Sequence, residues 1–280
     1  MLLLSNKSLH LYIGARSVHG TSRARWSPGK VLVRSHHEFD HVSPDQSRAA
    51  SVTPPIDEHC SRAIDAVLSE LGASAAGQKL PLSVVMEDSR VHFDVVLGDY
   101  GDASDRHLQS IATACVAEVM GEDATSQIVR WQLQRDMRHL LISSINSQDI
   151  TSVMQAAAQH GLQLRSLQPD FCVQWNQYAG ATSQGSGVFV NISSNHAVAV
   201  CAQLGAISAL SCGPYRDDGD ALPSVVPHST HLVDERVDRL LSCMGQDVAE
   251  ISSFVLVTPD RERIATTSRW SVISPRAESV

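Results

Sequence analysis

The chain is poor in the features that most often announce a function. Aromatic residues make up only 5% of its 280 positions, and 22 Lys and Arg face 30 Asp and Glu, for a net charge of −8. Without a basic excess, no broad field exists to displace counterions from phosphates, which excludes general nucleic-acid binding. Long hydrophobic runs are missing as well. The longest mostly apolar stretch, 197–210, is about fourteen residues and is broken by Gln203, Gly205 and Ser208, short of the roughly 20 needed to cross a bilayer. The opening residues, Met1-Leu2-Leu3-Leu4-Ser5-Asn6-Lys7, have no basic segment before the leucines and too few apolar residues for a secretory leader. These absences predict a cytoplasmic protein without direct membrane insertion. Six cysteines are scattered with no C-x-x-C pair and read as reduced thiols, not as a disulfide or metal framework.

Catalytic signatures are equally scarce. There is no Walker A sequence, no Gly-x-Gly-x-x-Gly after a strand, and no His-Glu-x-x-His. Gly185-Ser186-Gly187 is not a nucleophile elbow, because its glycines adjoin the serine directly. Trp26, Trp131, Trp175 and Trp270 are too dispersed for a base-stacking platform and read as packing residues. What is present is an ordinary globular balance, 43% hydrophobic and 19% charged, long enough for one large domain or two ordinary ones.

Periodicity supplies the organisation. Residues 8–17 alternate, with Leu9, Leu11 and Ile13 on one face and His10 and Tyr12 on the other, and 30–34 reads as the strand that completes a hairpin. The polar run 36–55 reads as a loop. A helix follows in which Ile64, Val67, Leu68 and Leu71 repeat at helical spacing, ending at Gly72. Strands at 80–86 and 91–97 flank Glu87-Asp88-Ser89-Arg90, which reads as a hairpin turn, with Asp88 there for backbone reasons as Asp136 is at its own turn. Helices are expected at 104–120, 147–160 and 232–244, and a helical segment runs through Trp175. Further strands fall at 127–134, 138–145, 162–167, 187–192, 197–202, 206–211 and 254–257, with a loose polar tail after Thr258. Hairpins and meanders separated by single helices predict an α/β protein with mixed sheets. A β-hairpin, a third strand and a helix near the start, and a three-strand meander plus helix from Gly187, read as a weak internal duplication.

The two strand clusters resemble the two phosphate-binding hairpins of actin-like ATPases, and in particular the PilM/GspL group of type IV pilus and type II secretion assembly proteins. The first matching stretch is Leu11-Tyr12-Ile13-Gly14-Ala15-Arg16-Ser17-Val18-His19, against a family pattern Asp-x-Gly-x-x-Ser-x-Lys. The second is Val188-Phe189-Val190-Asn191-Ile192-Ser193-Ser194-Asn195-His196, where the family has Asp-x-Gly and a meander. Between them, 139–145, the helix to Gly161 and the strand to Pro169 match the segment that leads into the second half, so the likeness spans about residues 8–212. It implies an actin-like fold of two ribonuclease-H-like halves: 1–170, with an inserted α+β subdomain at about 90–135, then 171–265 and a tail at 266–280.

Departures from the pattern shape the expected function. A carboxylate in each hairpin would hold Mg²⁺ and order the attacking water, since a hard cation needs oxygen ligands. Those positions are Tyr12 and Asn191, the second glycine is Ser193, and the expected basic residue is His19. The resemblance therefore implies degenerate phosphate hairpins built on Gly14, Ser17, Asn191 and Ser193, no catalytic residues, no required cofactor, and no efficient ATP hydrolysis even if ATP is bound. The expected role is a non-catalytic scaffold on the cytoplasmic side of a pilus or secretion assembly, peripheral to the inner membrane through a partner protein there. One alternative is an active Mg-ATP-dependent ATPase or phosphotransferase in which Glu87 or Asp170 substitutes at the metal. Another is a metal-binding protein that uses the imidazoles and carboxylates of His36-His37-Glu38-Phe39-Asp40-His41. Asp217-Asp218-Gly219-Asp220 lacks the spacing of a calcium loop and reads as a turn.

Overall fold

The computed structural model describes residues 7–24, 27–39, 56–71, 80–178, 180, 185–193, 196–214, 228–229, 231–243, 248–258, 264–265 and 270–273. Strands β1 (Lys7–Ile13), β2 (Ser17–Ala24) and β3 (Ser27–Glu38) lead to helix α1 (Glu58–Glu70) and β4 (Leu80–Met86). Next come β5 (Val91–Leu97), α2 (Asp105–Met120), β6 (Gln127–Leu133) and β7 (His139–Asn146). Helix α3 (Ser147–Gln159), β8 (Leu162–Pro169) and α4 (Asp170–Tyr178) precede β9 (Ser186–Ile192), β10 (His196–Gln203) and β11 (Ala206–Pro214). The remaining elements are β12 (His228–Ser229), α5 (His231–Cys243), β13 (Ser253–Val257), β14 (Ile264–Ala265) and β15 (Ser271–Ile273). They form two compact units, the first within 7–91 and 145–170 and the second within 92–144 and 171–273.

The first unit holds a five-stranded sheet in the order β3-β2-β1-β4-β8. β1, β2 and β3 are an antiparallel meander, and β4 and β8 extend it in parallel with β1. β1 buries Leu9, Leu11 and Ile13 by strict alternation, and β4 does the same with Leu80, Leu82, Val84 and Met86. Helix α1 is capped by Asp57, whose carboxylate accepts from the Cys60 N–H at 2.8 Å. Its apolar stripe meets β2 at Gly20, where a Cβ would lie 2.4 Å from Val67 Cγ1, so only glycine allows this approach. At the start of α3, buried Asp149 accepts from the Ile56 N–H at 2.6 Å and faces the buried Arg90 guanidinium at 3.8 Å.

The second unit repeats the topology in a sheet of order β11-β10-β9-β13-β15. Its meander is β9 to β11, and β13 and β15 run parallel to β9. One face of this sheet buries Val190, Ile192 and Ala199 against Val237, Leu240 and Leu241 of α5. Phe189 packs edge to face on the rings of Phe171 and Trp175 from α4, with centroids 6.1 and 5.3 Å away. The unit also contains a three-stranded sheet, β5-β7-β6, covered by α2 through Leu108, Ala112 and Val116. Gln134, at the end of β6, accepts from the Ile207 N–H at 3.0 Å, beside the point where β10 and β11 shift register. Within each unit the third strand of the meander is followed by a helix, so the duplication expected from the sequence is present in the topology.

Several local expectations are corrected. The hairpin partner of β1 is 17–24, not 30–34, which lies within β3; the Gly14 to Ser17 turn reverses the chain at once. Residues 36–38 belong to β3 and not to a loop, since pairing with β2 carries the strand to Glu38, while 40–55 lie outside the described residues. β4 and β5 are not a hairpin. Residues 88–90 form a 3-10 turn that redirects the chain without pairing its flanks, and β4 instead enters the first sheet while β5 joins the three-stranded one. Asp217 to Asp220 are outside the described residues. After Thr258 the chain is not simply loose: β15 pairs with β13, and Trp270 is 7% exposed, its ring 5.4 Å from Phe254 and its indole N–H donating to Asp234 Oδ1 at 2.9 Å.

Trp270→Ala should therefore lower the stability of the chain by about 3–5 kcal/mol, the usual cost of removing a buried Trp. Urea unfolding measures it, and a loss below about 1 kcal/mol would refute the docking of 270–273.

Candidate functional site

Parallel strands β1, β4 and β8 lie side by side, so their carboxyl ends share one edge of the first sheet, the edge at which ligand sites of open α/β sheets form. Three buried carboxylates lie along that edge beside the β1–β2 turn: Glu87 and Asp88 after β4, and Asp170 after β8. The Gly14 N–H donates to the Ser17 carbonyl at 2.8 Å and closes the turn. The next amide, Ala15 N–H, donates to Glu87 Oε2. Glu87 is brought to it by its own backbone, whose N–H donates to the Ile13 carbonyl at 2.9 Å, and its side chain is 0% exposed. A Cβ on Gly14 would lie 3.3 Å from Glu87 Oε2 and 3.1 Å from the Ser17 carbonyl, tighter than ordinary contact. The glycine therefore makes room for the carboxylate.

Asp88 and Asp170 are also buried. Burial raises the Tyr12 phenol well above its usual range, and the charges of Asp170, Glu87 and Asp88 push the same way, so it remains a neutral hydroxyl. Ser17 Oγ lies 3.0 Å from His19 Nε2, and His19 Nδ1 lies 3.0 Å from His36 Nδ1 on the adjacent strand, directly opposite in the register. Burial holds His19 below the usual histidine range, and the charge of His36 acts in the same direction against Glu38. His37 turns to the other face of β3 and meets Glu70 at 2.8 Å, because successive strand residues alternate. His36 and His37 thus face opposite sides of β3, and among the described residues no group of three His, Cys, Asp or Glu side chains is arranged to hold a metal ion. Asp40 and His41 lie outside the described residues.

The β9–β10 turn, in the second unit, is closed by its own atoms. The Ser193 N–H donates to the His196 carbonyl at 2.9 Å, and the Ser193 hydroxyl donates to the same oxygen at 3.1 Å. Asn191 is 1% exposed. His196 is 6% exposed, and its buried Nδ1 has no hydrogen-bond partner among the described residues. Burial, and then the charge of Arg236, push this imidazole down to about 4. Gly14 and Ser17 are thus joined in one turn, and Asn191 and Ser193 flank another.

No protein-family model matches the chain, and no curated protein matches it in sequence. Solved structures do. A Bacteroides thetaiotaomicron protein of actin-like ATPase fold and unknown function superposes with a TM-score of 0.52 at 7% identity, over 94% of this chain and 82% of that one. The fold is that of the actin-like ATPases. The PilM–PilN type IV pilus biogenesis complex gives 0.56 at 10% identity, covering 91% and 82%. The cytoplasmic domain of EpsL, an inner-membrane component of the Vibrio cholerae type II secretion system, gives 0.55 at 8%, covering 98% and 92%.

On this actin-like frame, Tyr12 and Asn191 stand at corresponding places, two residues before Gly14 and Ser193 in the first strand of each meander. The Ala15 amide of the first hairpin is bonded to Glu87, and Asp88 and Asp170 place further carboxylates close to Tyr12. Among the residues at these turns, Asp88 and His196 carried only weak sequence signals. Each follows or opens an apolar strand, a position equally common for plain turn residues.

His196 makes a pH-dependent contribution of definite sign. The unfolded chain takes a proton near pH 6.5 that the folded imidazole accepts only at about 4, so stability is complete above 6.5 and falls as the pH drops towards 4. The loss across that window is on the order of 3 kcal/mol. His196→Gln should flatten this part of the profile in urea midpoints taken between pH 7 and 4.5, and an unchanged slope would overturn the assignment.

Proposed function

We propose that the chain is a non-catalytic, actin-like scaffold on the cytoplasmic side of a type IV pilus or type II secretion assembly, where it binds an inner-membrane assembly protein. The observation that carries this reading is chemical. Both hairpin positions that would bear carboxylates carry Tyr12 and Asn191 instead, and the first hairpin's amide is bonded to Glu87. Phosphoryl transfer depends on metal-held phosphates and an ordered nucleophile, and neither hairpin offers a carboxylate at the position for that work.

The fold it shares with PilM and the EpsL cytoplasmic domain supports the assembly context. No described helix is long and apolar enough to cross a membrane, and a net charge of −8 gives no attraction to an anionic leaflet, so recruitment falls to a protein partner. A groove or a strand edge such as β3, the outermost strand of the first sheet among the described residues, is the kind of surface that accepts a partner's peptide.

Calorimetric titration with Mg·ATP, a phosphate-release assay and co-purification with inner-membrane assembly proteins test the proposal together. The expected result is neither heat nor turnover, together with stoichiometric capture of such a partner. Steady ATP hydrolysis without capture would overturn it in favour of an ATPase in which Glu87 or Asp170 serves the metal.

A further inference from the structure

We infer that the β1–β2 turn is an intrinsic anion-binding site whose resident ligand is the chain's own Glu87 carboxylate, which takes the place that an external phosphate or small carboxylate would occupy. The inference rests on the scaffold reading and adds to it the means by which the turn is kept intact without nucleotide.

A backbone N–H that a tight turn leaves unused carries partial positive charge and favours an anionic acceptor. Here the Gly14 N–H is used within the turn, on the Ser17 carbonyl at 2.8 Å, and the Ala15 N–H points outward from it. Left without a partner in this part-buried position, that amide would lose the value of a hydrogen bond. Glu87 meets it with a charge-assisted bond from a side chain that is 0% exposed.

Three features show that the contact is built and not incidental. The carboxylate is anchored from below, since the Glu87 N–H is bonded to the Ile13 carbonyl at 2.9 Å, one residue before the turn. Gly14 leaves the space it needs, because a Cβ there would come within 3.3 Å of Glu87 Oε2. Among the described residues, the Ser193 N–H of the β9–β10 turn is spent on the His196 carbonyl and not on a carboxylate. The glycine that the family pattern reserves for a phosphate thus serves an internal anion in this chain.

Chemical rescue tests the assignment. In the full-length protein, Glu87→Ala should lower the thermal unfolding midpoint, and sodium formate or inorganic phosphate should raise it again, by about 4 °C at ten times the ligand's Kd. Sodium chloride at equal ionic strength should not, and the wild type should respond to neither anion. In amide NMR spectra of the wild type, the Ala15 resonance should stay in place on addition of pyrophosphate; this readout stands even where Glu87→Ala fails to fold. Absence of any formate or phosphate effect on a folded Glu87→Ala protein would overturn the inference, and so would a wild-type Ala15 resonance that shifts with pyrophosphate. ATP turnover by a wild type whose Ala15 resonance is unmoved would instead defeat the scaffold reading alone.

Discussion

The hydrogen bond from the Glu87 N–H to the Ile13 carbonyl, with the parallel β1–β4 ladder behind it, is the constraint on which the first unit turns. It ends β4 level with the Gly14 turn, and the parallel pairing of β8 with β4 then brings Asp170 to the same edge. A slip of one residue would turn the buried row Leu80, Leu82, Val84 and Met86 towards the opposite face, so the hydrophobic pattern enforces the register that the polar edge requires. Packing energy spread over the sheet thus holds a single carboxylate in place.

The two units answer the same topological problem with different chemistry. Each closes a meander with a turn whose amides need partners, and each extends it with parallel strands. In the first, a side chain distant in sequence supplies the acceptor; in the second, the His196 backbone carbonyl does so locally, for both the Ser193 N–H and the Ser193 hydroxyl. The second unit also keeps Asn191 and His196 inside an otherwise apolar sheet. Burying a polar group costs free energy unless it is paired, so an imidazole with an unpartnered Nδ1 survives only because the surrounding strands supply far more than it loses.

Much of the architecture was legible in the residues because it follows from periodicity. Alternation placed β1, short apolar runs between turn signals placed β4, β9, β10 and β11, and helical patterning placed α1, α2, α3 and α5 to within a few residues of their observed ends. Legibility failed where two local readings were equally good. Glu87-Asp88-Ser89-Arg90 has hairpin chemistry, yet β4 pairs along one edge with β1 and along the other with β8, which outweighs any local reversal. The polar composition after Thr258 suggested a loose tail, but Trp270 has its own slot beside Phe254 and Asp234, and a single well-placed aromatic docks the strand that follows.

The residues by themselves determined the class of fold, the positions of both turns and the absence of carboxylates at Tyr12 and Asn191, because each of these is a property of a short segment. Only the tertiary structure decided what occupies the first turn. Glu87 lies 72 positions from Ala15, and no local pattern predicts that two such residues share a hydrogen bond. That contact exists because parallel strands can pair only through a long crossover, so the chemistry at their shared edge is assembled from parts of the chain that carry no trace of one another.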